Sequence, residues 1–100
     1  MTRDLAKSRL DAASQWLDGA GSTHPGAAAA KRAIASFLGS FASGALNAPQ
    51  DDAELTRMIV TEGRLYLPRT TSKRQAREFE DAVSSAIVAA RKGLPQGDTL

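Results

Sequence analysis

Apolar residues return every three or four positions along most of the chain, the period of an amphipathic helix, and the interruptions fall at glycine and proline. Between residues 3 and 18, Ala6, Leu10, Ala13 and Leu17 form one stripe, with Leu5 and Trp16 beside it. Thr2 stands at the N-cap position, Asp4 puts negative charge in the first turn, and Gly19 sits where a left-handed residue ends many helices. Residues 19–26, Gly-Ala-Gly-Ser-Thr-His-Pro-Gly, read as a flexible connector. A second helix is predicted over 26–46, with Pro25 tolerated at its start and Ile34, Phe37, Leu38, Phe41, Ala45 and Leu46 as its apolar face.

A third helix is predicted over 50–62. Pro49 suits its first turn, Asp51, Asp52 and Glu54 crowd its positive end, Leu55, Met58 and Ile59 face inward, and Gly63 ends it. Arg64-Leu65-Tyr66-Leu67 alternates polar and apolar and predicts a short extended segment over 64–67, too short to make a sheet alone. The fourth helix, over 73–92, opens with Ser72 and Gln75 in capping-box spacing. Ala76, Phe79, Val83, Ala86, Ile87 and Ala90 line one side of it, Arg91 and Lys92 complement its negative end, and Gly93-Leu94-Pro95 stops it. The tail 96–100 is expected to fray. The fold class is therefore all-α: one domain over 1–100, a bundle of about four helices, the second and fourth central and the first packed on them through Leu10 and Leu17.

Composition thins this picture. Leu, Ile, Val and Phe together number 19 of 100 residues, and alanine alone another 19, so helix propensity is high while core volume is small. A thin core is often completed by a second copy, which makes a homodimer an expectation. Ser36, Gly39, Ser40 and Gly44, small residues along the second helix, are the expected helix-packing or dimer contact. Trp16 and Tyr66 are expected to lend the core bulk.

The chemistry-bearing residues are few. The chain has no cysteine, which excludes disulfides, iron–sulfur clusters and Cys-based zinc sites, and its single histidine, His24, lies in the connector. No phosphate-binding loop or dinucleotide pattern is present. No metal, cofactor or catalytic residue is expected. Residues 33–50 are uncharged and long enough to span a bilayer, but their Ser, Gly, Asn, Pro and Gln content argues against a membrane segment. The residues after Met1 do not form a secretion signal, so a cytoplasmic location is expected. Usage rich in Ala and Arg suits a bacterial or phage gene.

Charge is the feature that most needs an explanation. Residues 51–63 carry Arg57 against four acids, a net of −3, whereas residues 64–77 carry Arg64, Arg69, Lys73, Arg74 and Arg77 with no acid, a net of +5. Lys73 and Arg74 oppose the dipole at the start of the fourth helix, at a cost of about 0.3–1 kcal/mol each. An anion held by free backbone N–H groups, by Thr70, Thr71 and Ser72, and by these cations would reverse that sign. The segment therefore reads as a partner-binding surface formed by Arg64, Tyr66, Arg69, Thr70, Thr71, Ser72, Lys73, Arg74 and Arg77. The expected function is that of a non-enzymatic regulator, adaptor or inhibitor contacting an acidic surface of a partner protein. The alternative is a nucleic-acid-binding regulator using the same cations, with Tyr66 stacked on a base.

Overall fold

The computed structural model describes residues 1–44 and 46–93, and in it the chain forms four helices: α1 (Arg3–Asp18), α2 (Ala27–Ala42), α3 (Asp52–Arg64) and α4 (Lys73–Gly93). No strand occurs among the described residues. Ala45, the Gly93-Leu94-Pro95 ending and the tail 96–100 lie wholly or partly outside them. α2 and α4 each pack on the other three helices, whereas α1 and α3 scarcely meet. Leu10, Ile34, Phe37, Leu55, Ile59, Phe79, Val83 and Ile87 are fully buried at the centre, with Leu17 beside them. Ala6, Ala13, Ala30, Ala82, Ala86 and Ala90 fill the seams between helices, where larger side chains would hold the backbones apart.

The helix starts follow local chemistry. The Thr2 hydroxyl accepts from Leu5 N–H at 3.0 Å, and the Asp51 carboxylate accepts from Glu54 N–H at 2.8 Å. Glu54 reaches back to accept from Gln50 N–H at 2.7 Å, so α3 is capped one turn later than its proline implies. Pro49 is not in the first turn; it is buried ahead of the cap.

The helix ends depart further from expectation. Gly19 is not left-handed, since its φ is −112°, and α1 instead closes through Gly21 N–H donating to Trp16 O at 2.7 Å. Trp16 lies over Gly21, where a Cβ would stand 2.4 Å from the indole ring, so the glycine makes room for an aromatic lid. The connector 19–26 is a series of turns: Ser22 N–H donates to Gly19 O, His24 N–H to Gly21 O and Ala27 N–H to His24 O. α2 stops at Ala42 and not at 46, because Gly44 turns the chain with φ +83°. Gly63 does not end α3. It is buried within the helix, where a Cβ would lie 2.5 Å from Phe79 Cζ and 2.9 Å from Ala33 Cβ, so its bareness lets α3 reach α2.

Gly39 is different. It is exposed inside α2, and a Cβ there would meet nothing within 4 Å. Gly39→Ala is therefore expected to raise stability by about 0.5–1 kcal/mol. A thermal melt should register a gain of several degrees. A loss instead would mean that a second chain packs on this position.

Candidate functional site

After Arg64 the backbone does not extend. Leu65 N–H donates to Glu62 O at 3.2 Å, Tyr66 N–H to Gly63 O at 3.1 Å and Leu67 N–H to Arg64 O at 3.3 Å. These bonds tighten the end of α3 into single turns. The extended segment expected over 64–67 is thus corrected: a four-residue strand has no neighbour to pair with, whereas carbonyls three residues back are at hand. Winding replaces alternation. Leu65 and Tyr66 come to the outside, 76% and 69% exposed, while Leu67 turns in and packs against the core. Tyr66 therefore adds no bulk to the core, unlike Trp16.

The chain then turns at Pro68, whose carbonyl accepts from Thr71 N–H at 3.0 Å, and enters the capping box of α4. Ser72 Oγ accepts from Gln75 N–H at 3.1 Å, and Gln75 Oε1 accepts from Ser72 N–H at 2.9 Å. The box forms as the spacing predicts, and it engages Ser72 in capping. Two of the cations are also engaged, Arg64 with Glu80 on α4 and Arg74 with Glu78 at 3.4 Å. Arg69, Lys73 and Arg77 are exposed and make no ion pair among the described residues. Thr70 is exposed and Thr71 half-buried beside them.

The fold adds a neighbour that the linear segment does not contain. The close approach of α3 to α2 at Gly63 lays the 65–71 loop along the outer face of α2. A hollow of about 270 Å³ results between Ala29, Arg32, Ala33 and Ser36 on one side and Tyr66, Leu67 and Pro68 on the other. It continues past Ala29, Arg32, Leu67 and Pro68 into a second hollow of about 320 Å³, bordered by Thr70, Thr71, Gln75 and Glu78. Arg32 was not among the residues the sequence pointed to. Its signal was nevertheless there, since residues 19–50 contain Lys31 and Arg32 and no acid.

The small-residue row on α2 is divided. Ser36 lines the hollow beside Tyr66, Gly39 and Ser40 lie further along the helix, and Gly44 serves the turn. A larger hollow, about 520 Å³, lies elsewhere, over Phe37, Leu46 and Met58. Its rim carries Glu54 and Glu62 with Arg57 between them in the chain, a mixed surface unlike the acid-free segment 64–77. Among the described residues no cluster of His, Asp and Glu is placed to hold a metal, and no helix is long and apolar enough to cross a membrane. His24 sits in the turns before α2, 6.3 Å from Trp16 between ring centres.

No protein-family model matches the chain, and neither a curated protein nor a solved structure gives a significant match to it.

Proposed function

We propose that this chain is a non-enzymatic binding domain, a cytoplasmic regulator, adaptor or inhibitor, that engages an acidic surface of a partner protein through residues 64–77. One observation carries this reading. Among the described residues, Leu65 and Tyr66 are the most exposed of the large apolar side chains, and they stand within an acid-free stretch where Arg69, Lys73 and Arg77 make no ion pair. Single exposed apolar residues are ordinary on a surface. An adjacent leucine and tyrosine amid arginines have the composition of an interface centre with a charged surround. The free cations would speed encounter with an acidic partner, and the apolar pair would hold it. A bare phosphate backbone would leave Leu65 unused, which favours a protein over nucleic acid.

The test is fluorescence anisotropy at low salt with two labelled probes, a glutamate-rich peptide containing leucine and a mixed-sequence oligonucleotide, single-stranded and duplex. The peptide is expected to bind, and Arg69→Glu/Lys73→Glu to weaken it by roughly tenfold or more. Leu65→Ser/Tyr66→Ser should weaken it without changing the steepness of its salt dependence. All four positions are exposed, so far-UV circular dichroism should be unchanged. Binding of the oligonucleotide alone, or peptide binding indifferent to the charge reversal, would overturn the proposal.

A further inference from the structure

We infer that the groove between α2 and the 65–71 loop is the specificity pocket of this surface, and that its occupant is an acidic amphipathic helix of the partner protein. The inference rests on reading residues 64–77 as a partner site, and it names the shape of what binds there. The floor consists of Ala29, Ala33 and Ser36, spaced four and three apart on one face of α2. Arg32, the one larger side chain on the α2 side of the groove, is exposed and flanks this floor, so a second helix can approach along the α2 axis with the guanidinium beside it. Tyr66, Leu67 and Pro68 form the opposite wall and give that helix an apolar surface to pack on.

Charge selects the occupant. Both segments that build the groove, 19–50 and 64–77, lack acids, and their exposed cations Arg32 and Arg69 make no ion pair among the described residues. The carboxylate that borders the groove, Glu78 at its far end, is already held by Arg74 at 3.4 Å. A basic or neutral helix would meet cations on both sides, whereas an acidic one would find partners there. The two hollows also have a register. They border α2 at Ala29–Ser36 and at Gly26–Arg32, an offset of about one helical turn, or roughly 5.4 Å. Apolar side chains at positions i and i+4 of the incoming helix have that spacing.

The probes that test this are two synthetic 16-residue peptides of identical composition. One carries leucines at i, i+4 and i+8 with glutamates elsewhere, and the other has the leucines scattered around the helix. The wild-type chain is expected to bind the patterned peptide about tenfold more tightly than the scattered one. Ala29→Gln/Ser36→Gln, which fills the floor without adding charge, should abolish that preference and leave the scattered peptide unaffected. Ala29 is half-buried and Ser36 exposed, and circular dichroism checks that the variant folds. Equal binding of the two peptides, both lost on Arg69→Glu/Lys73→Glu, would overturn the groove while the cationic partner site stands. A preference that survives in Ala29→Gln/Ser36→Gln would also overturn the groove. Binding of neither peptide would overturn both readings.

Discussion

Gly26→Ala is expected to destabilise the fold by about 2–5 kcal/mol, a large share of the roughly 5–15 kcal/mol that holds a domain together. Two separate costs meet at this residue. Gly26 caps α2 with φ +83°, a left-handed conformation that costs an L-residue about 1–2 kcal/mol. Its missing side chain is also a contact. A Cβ there would lie 2.6 Å from the carbonyl carbon and oxygen of Glu78 and 2.8 Å from Phe79 N, all of them backbone atoms inside α4. Backbone in the middle of a helix cannot step aside as a side-chain tip can, so overpacking adds a further ~1–3 kcal/mol. Gly44→Ala separates the two costs, because Gly44 has the same φ of +83° and nothing within 4 Å of its would-be Cβ. Urea denaturation of both variants should place Gly26→Ala well below Gly44→Ala. Equal midpoints would mean that α2 does not start against the α4 backbone. The second hollow, which Gly26 helps to line, would then lose that end of its wall.

The helices were legible because what makes them is local. Thr2 and Ser72 each accept from an N–H three residues on, a relation visible as spacing, and the stripes of α1 and α4 are buried where their periods put them, whereas the Asp51 cap was hidden behind Pro49. What the spacing did not reveal depends on a distant neighbour. Gly63 looks like a stop until Phe79 and Ala33 are found against it, and Gly19 looks like a left-handed cap until Trp16 settles over Gly21. The segment 64–67 alternates like a strand, but alternation has meaning only if a strand lies alongside. The same division runs through the candidate site. A run of five cations without an acid is evident in one dimension. Which of them remain free is not: Glu80 neutralises Arg64 from 16 residues away, by packing α4 on α3. Arg32 joins the surface for the same reason, carried there by the contact of two helices at a glycine.

The second large effect is expected at Arg9, the one buried charge among the described residues. Arg9, on α1, is 5% exposed, and its Nε donates to Asp52 Oδ1 at 2.8 Å. Asp52 opens α3, so this bond ties together the two outer helices, which otherwise scarcely touch. The tie is imperfect, because Arg9 Nη1 is buried with no hydrogen-bond partner. Removing the carboxylate therefore differs from removing the cation. Asp52→Ala strands a guanidinium inside the protein without its counter-charge, and a loss of about 3 kcal/mol is expected. Arg9→Met keeps much of the aliphatic bulk, takes away the unpaired Nη1, and leaves Asp52 partly hydrated at a helix N-terminus that favours it. Its expected change is within about 1 kcal/mol of wild type. The double variant Arg9→Met/Asp52→Ala should recover most of what Asp52→Ala loses, because the stranded charge is then gone. Chemical denaturation of the three variants closes the cycle. If Asp52→Ala alone were as stable as wild type, Arg9 would have to reach water by swinging out of the core. The link between α1 and α3 would then be dispensable, and the bundle would rest on its alanine seams and its buried Leu, Ile, Val and Phe side chains.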